Sequence, residues 1–183
     1  MVFELQHIET HIFRLGDLVQ TLLRDATSLS NSNQEVFILP LVEQVHRLVD
    51  DEAFTKNIKV VRDISASLPP IRGTAAYISQ ALLNLVVNAI NHTRSGGTVT
   101  LFSQVTPDCI TLSVKDTGKG IPSDLLPHIF EPGVTTAQTA ANVGLGLVFV
   151  KRVMDTHNGT VSVSTEPGKG SIFSLSFPLN EMS

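Results

Sequence analysis

From Ala75 to His92 the chain sets Ile78, Leu82, Leu83, Leu85, Val86, Val87, Ala89 and Ile90 on nearly every side of a helix. A helix apolar all round is stable in water only when other elements cover it, so the segment predicts a central, buried helix. One stripe breaks the pattern. Gln80, Asn84, Asn88 and Asn91 recur every third or fourth residue and so share one edge. Buried amides need partners. They either satisfy a neighbouring backbone or face a polar ligand. Amide oxygens suit a hard cation such as Mg²⁺, which keeps waters and phosphate oxygens as its other ligands.

A second constraint lies at Val114-Lys115-Asp116-Thr117-Gly118-Lys119-Gly120-Ile121. Ile110, Leu112 and Val114 alternate with polar residues, the pattern of a half-buried strand, and Asp116 shares their parity. An isolated buried carboxylate is costly and persists when something pairs with it. Gly118 and Gly120 then open a turn where a backbone or a ligand can come close. The Asp either closes a β-turn or faces a ligand pocket.

Downstream, Asn142-Val143-Gly144-Leu145-Gly146-Leu147 precedes a helical run from Val148 to His157. Glycines ahead of a helix let phosphate oxygens reach the free N–H groups of its first turn, although a simple turn explains them as well. The chain contains no G-x-x-x-x-G-K-[ST], so there is no P-loop. No strand followed by G-x-G-x-x-G opens a βαβ unit, which removes a Rossmann site.

Together and in this order, these motifs resemble the histidine-kinase catalytic and ATP-binding domain of the GHKL superfamily. Leu83-Asn84-Leu85-Val86-Val87-Asn88-Ala89 is similar to its N box and Asp116 to Ile121 to its G1 box. His128-Ile129-Phe130-Glu131-Pro132 is similar to the F box and Gly144 to Leu147 to the G2 box. Glu166-Pro-Gly-Lys-Gly-Ser171-Ile-Phe173 matches the closing hairpin and last strand, so the resemblance spans roughly Asn33 to Pro178.

The resemblance implies a Bergerat ATP-binding fold, an α/β two-layer sandwich whose mixed, mostly antiparallel sheet is covered by helices on one face. It implies ATP and Mg²⁺ as ligands. Asp116 would accept a hydrogen bond from the adenine amine, with the inward-facing Ser171 close by. Asn88 would bind Mg²⁺, and Asn84 would lie near the phosphates. Gly118, Gly120, Gly144 and Gly146 would let both ends of a lid, Ile121 to Val143, wrap the nucleotide. Asn91, Ile121, Phe130, Leu145 and Leu147 complete the implied nucleotide-binding set, with Phe130 as a hydrophobic pin for the lid. ATP-hydrolysing members of the superfamily carry a Glu four residues before the Mg²⁺-binding Asn, as base for water. Asn84 stands there and takes no proton at neutral pH, which favours transfer to a histidine. Asn91 occupies a position where the kinases usually have Lys, and no Lys or Arg lies between Ile121 and Val150.

The remaining periodicity predicts strands at Ile58 to Ile64, Thr98 to Val105, Ile110 to Asp116, Thr160 to Ser164 and Ser171 to Phe177. Helices are expected at Leu39 to Phe54, Ala75 to His92 and Gly146 to His157. Strands in runs with helices to one side indicate two layers rather than a doubly wound sheet. A chain of 183 residues, 42% hydrophobic, can build one sizeable core with an appendage. Its net charge of −4 gives no electrostatic case for nucleic acid. The single cysteine, Cys109, excludes a disulfide framework and suits a cytoplasmic compartment. No apolar run reaches the ~18 residues of a membrane span, although a parent protein could be membrane-anchored.

The appendage is residues 1–32, ahead of a domain at 33–183. Leu5, Ile8, Ile12, Leu15, Val19, Leu22, Ala26 and Leu29 form a heptad seam that a lone helix cannot bury. By resemblance this is the second helix of a dimerisation hairpin. The first helix, bearing the phosphoacceptor histidine in an H-E-x-x-[TN]-P context, is absent from the sequence. The implied partners are a second copy through this helix, the acceptor-histidine helix of the parent protein, and a response-regulator receiver domain. His7 and His11 lack the acceptor context and read as solvated helix surface. The alternative function is a degenerate nucleotide-binding regulatory module that acts on a partner without turnover.

Overall fold

The computed structural model describes residues 34–134 and 144–179. The heptad seam, His7, His11 and the central part of the expected lid lie outside the described residues.

A short strand β1 (Gln34–Val36) leads into helix α1 (Ile38–Thr55), followed by β2 (Lys59–Asp63) and β3 (Ile71–Gly73). Helix α2 (Ala75–His92) precedes the hairpin β4 (Thr98–Val105) and β5 (Cys109–Asp116). After a single 3₁₀ turn at Leu126–His128 come α3 (Gly146–Thr156) and the hairpin β6 (Thr160–Glu166) and β7 (Gly170–Pro178).

Five strands form one sheet in the order β2-β4-β5-β7-β6. Only β2 and β4 run parallel, and the other neighbours are antiparallel hairpin or hairpin-to-hairpin pairs. The mixed, mostly antiparallel sheet is the one the sequence predicts. β1 and β3 pair antiparallel as a separate ribbon, Val36 opposite Ile71. At three residues each they are too short for an alternation signal.

One face of the sheet is apolar. Val99, Leu101, Ile110, Leu112, Val114, Phe173, Leu175 and Phe177 are buried on it. The helices lie against this face, α2 over β4 and β5, α3 over β6 and β7, with α1 and α3 flanking α2. The central position of α2 follows from its all-round apolar surface: Ile78, Ala81, Leu82, Leu85, Val86, Ala89 and Ile90 are all buried. α1 buries a stripe instead, Ile38, Leu41, Val42, Val45, Val49 and Ala53, and carries Pro40 in its first turn, where no N–H is needed.

Asn57 (φ 55) and Asn158 (φ 53) follow the ends of α1 and α3 in the left-handed conformation, a common way to stop a helix. His157 fastens the start of α2 to the end of α3. Thr74 N–H donates to its Nε2 (3.0 Å), so the proton sits on Nδ1 and is shared with Val153 O (2.7 Å). Among the described residues no helix is long and apolar enough to cross a membrane.

Candidate nucleotide site

β5 delivers Asp116 to the inner face, opposite Val99 of β4, as its parity requires. The residue is 5% exposed. Its Oδ1 accepts the Gly118 N–H at 2.8 Å, and the Ser171 N–H also donates to the carboxylate. Burial pushes the Asp116 pKa up, and the bonds from Gly118 and Ser171 only partly counter it. The side chain is thus a half-satisfied acceptor fixed in place by backbone donors. Such a group is well suited to take a hydrogen bond from a planar amine.

The walls around it come from the glycines. Gly170 has φ +110, and a Cβ there would run into Asp116 O. Backbone therefore meets backbone where β7 begins beside the end of β5. Thr165, on β6, joins three segments through one hydroxyl. It donates to Gly170 O (3.1 Å), accepts Ile121 N–H (2.9 Å) and contacts Ser171 Oγ (2.9 Å). Ser171 is 5% exposed, as its inward parity predicts, and its hydroxyl is held toward Thr165. The sequence reading missed Thr165 because it ended the strand at Ser164. Extending the alternation of Val161 and Val163 by two residues would have found it.

α2 supplies the facing amides. Gln80 Nε2 donates to Asn84 Oδ1 (3.3 Å), and Asn84 Nδ2 donates to Gly146 O (3.4 Å), tying α2 to the start of α3. Asn84 therefore serves the backbone-satisfying alternative while lying beside the half-buried N-terminus of α3. α3 has no side-chain N-cap and no acidic residue in its first turn, so its leading N–H groups favour an anion. Asn88 is half-buried and makes no side-chain hydrogen bond to another described residue. Asn91 is exposed at the end of the stripe and accepts a hydrogen bond from Lys56 Nζ. No sequence signal connects Lys56 to the site.

The two ends of the expected lid come together. A Cβ on Gly144 (φ +67) would lie 2.9 Å from Gly133 C and from Val134 O, so the segment leaves and returns at one place. Gly120 lies against the Glu166–Pro167 corner of the β6–β7 hairpin. Before the lid's described end, Ile129 is buried at 6% exposure and Phe130 packs half-buried on the core. The anchor is thus a pair, with Ile129 the more buried member. Leu147 and Ile121 are half-buried against the same core, and Leu145 is half-buried at the head of α3.

The structure therefore gathers Asp116, Gly118 and Ser171 at the end of β5 and Asn84 with Gly146 where α2 meets α3, with Asn88 one turn along the α2 stripe from Asn84. Asn91 falls outside the buried part. Among the described residues no cluster of three or more His, Cys, Asp or Glu side chains is present. Any divalent ion here would take few protein ligands and most of its oxygens from phosphate and water, which is the habit of Mg²⁺.

Comparison with known proteins agrees with this architecture. The sequence profile of the family described as "Histidine kinase-, DNA gyrase B-, and HSP90-like ATPase" matches residues 73–181. Sensor histidine kinase ZraS of Escherichia coli is 34% identical over 91% of this chain and 36% of its own length. Adaptive-response sensory kinase SasA of Synechococcus elongatus is 30% identical over 96% of this chain and 46% of its own. The chain thus spans under half the length of these relatives. Among solved structures, full-length ShkA in complex with AMPPNP superposes with a TM-score of 0.78 at 32% identity, covering 90% of this chain and 36% of that one. The catalytic domain of histidine kinase ThkA superposes with a TM-score of 0.70 at 27% identity, covering 79% of this chain and 94% of that domain. The chain belongs to the histidine kinase-, DNA gyrase B- and HSP90-like ATPase family, and within it to the ATP-binding catalytic domains of sensor histidine kinases.

Proposed function

We propose that this domain binds Mg·ATP in the groove between the Asp116 end of β5 and the amide stripe of α2, and donates the γ-phosphate to a histidine outside the chain. The observation that carries the reading is the Asp116 carboxylate, buried and held by backbone donors with acceptor capacity to spare. The adenine amine would donate to it. Ser171 and Thr165 would line the adenine edge, and the N-terminus of α3 would meet phosphate.

Asn88 fits the Mg²⁺ role because its amide offers a hard oxygen that no other described residue engages. When bound, the ion would neutralise phosphate charge. Phosphoryl transfer needs little more from a protein than positioning and charge stabilisation. An imidazole nitrogen of the acceptor attacks the γ-phosphorus, the bond to the β–γ bridging oxygen breaks, and ADP leaves. Asn84, bonded to Gly146 O, offers water no base, so hydrolysis should be slow.

Asn88→Ala tests the metal assignment. It should cost roughly tenfold in ATP affinity with Mg²⁺ present, and almost nothing in excess chelator, by calorimetric titration. An equal loss in both conditions would remove Asn88 from the Mg²⁺ site.

For the parent protein we propose dimerisation through the segment that carries the Leu5–Leu29 seam, and phosphate relay to a receiver domain. ThkA forms a complex with the response regulator protein TrrA, which supports a partner of that kind. The named relatives are kinases, and none favours a regulatory module without turnover.

A further inference from the structure

No lysine or arginine lies between Ile121 and Val150. Any basic side chain that meets a polyphosphate must therefore come from other elements. Two such elements reach the C-terminal end of the α2 stripe. Lys56, the residue that ends α1, donates through Nζ to Asn91 Oδ1 and to Glu52 Oε1 (2.9 Å). The turn that follows it is fixed by the loop after α2: Gly96 N–H donates to Asn57 O (2.8 Å) and Lys59 N–H to Gly97 O (3.0 Å).

Lys119 lies on the turn that also carries Asp116, with its N–H on His92 O (3.3 Å). His92, which follows Asn91 at the end of α2, is half-buried. Burial first, then Lys119 and Lys56, hold its pKa below the usual histidine range. Lys56 and the Lys119 turn thus meet one end of the stripe, about one turn (~4.5 Å) beyond Asn88. The N-terminus of α3, at Asn84, lies roughly 10 Å further back along the same helix.

We propose that Lys56 and Lys119 neutralise the ribose-proximal phosphates of the nucleotide, with Asn91 acting as the bracket that holds Lys56 there. The inference rests on the reading of Asp116 as the adenine acceptor. The turn from Asp116 to Lys119 places the cationic end next to the adenine end, so the first phosphates after the ribose are within its reach. The terminal phosphate falls to the α3 N-terminus. A cation borrowed from α1 also accounts for a chain that has Asn at position 91 and no basic residue in its lid.

Calorimetric titration of this chain with adenosine, ADP and ATP separates the possibilities. Lys56→Ala should weaken ADP and ATP alike, by about tenfold, and leave adenosine unchanged. Lys56→Arg should restore most of the affinity. In the unsubstituted chain the His92 imidazole resonances should move with ADP and stay put with adenosine. Unchanged ADP affinity in Lys56→Ala, an equal loss for adenosine, or a loss confined to ATP would each overturn the assignment. Asp116→Asn serves as the second arm. If it weakens all three ligands while Lys56→Ala weakens none, this inference falls and the adenine site stands. If it weakens none of the three, the adenine site falls as well.

Discussion

Asp116→Asn should lower the affinity for ATP and ADP about ten- to hundredfold and leave the chain folded. The lost interaction is a charge-assisted hydrogen bond, worth roughly 1.5–3 kcal/mol. An amide oxygen can still accept the Gly118 N–H that Asp116 Oδ1 now takes at 2.8 Å. That leaves the NH₂ group facing the adenine amine, donor against donor. Folding should not suffer, because the carboxylate is a burden to the unliganded chain. Burial raises its folded pKa, so whatever stability it contributes is present while it is protonated at low pH and is lost as pH rises through its folded titration point. Once ionised, the carboxylate is a desolvated charge in the folded chain, and the amide removes it. Thermal unfolding of the unliganded variant should therefore match or exceed that of the parent sequence. Calorimetry should show the affinity loss. A variant that binds nucleotide normally would mean that Asp116 only closes the turn.

Gly170→Ala should have the larger effect on stability. Residue 170 has φ +110, where an L side chain is strained, and a Cβ there would collide with Asp116 O. Backbone on backbone leaves no side chain to swing aside. The left-handed conformation costs about 1–2 kcal/mol, and forcing atoms into a packed site adds about 1–3 kcal/mol. Gly168→Ala is the control. It shares the positive φ (+82) but has nothing within 4 Å of its Cβ, so it should lose only the conformational part. Denaturant unfolding should separate the two variants by roughly the collision cost. Because relief of the clash must move Asp116, nucleotide affinity should fall in Gly170→Ala and hold in Gly168→Ala. Equal behaviour of the two would mean that the approach of β7 to β5 is loose.

What the sequence disclosed was whatever has a period. The all-round apolar surface of α2 predicted its central place, and parity alone turned Asp116 and Ser171 inward. Strand and helix bounds followed from the same alternations, within a few residues. The failures share a cause. β1 and β3 are three residues each, so pairing rather than pattern defines them. Thr165 lay one step past a strand ended too early. Lys56 meets Asn91 across 35 positions, and only the docking of α1 beside α2 creates that contact. For the amide stripe spacing leaves two readings open, and only the fold identifies Gly146 O as a backbone partner of Asn84.

As proposed, this domain is a phosphate donor to a histidine it does not carry. Labelled ATP, Mg²⁺ and a dimerisation hairpin with its acceptor histidine should be incubated with and without this chain. Acid-labile, base-stable phosphate should appear on the hairpin only when the chain is present, be lost with Asp116→Asn, and be absent from the chain itself. Label on the chain that disappears with His11→Ala, or a hairpin left unlabelled while the chain binds Mg·ATP tightly, would contradict it.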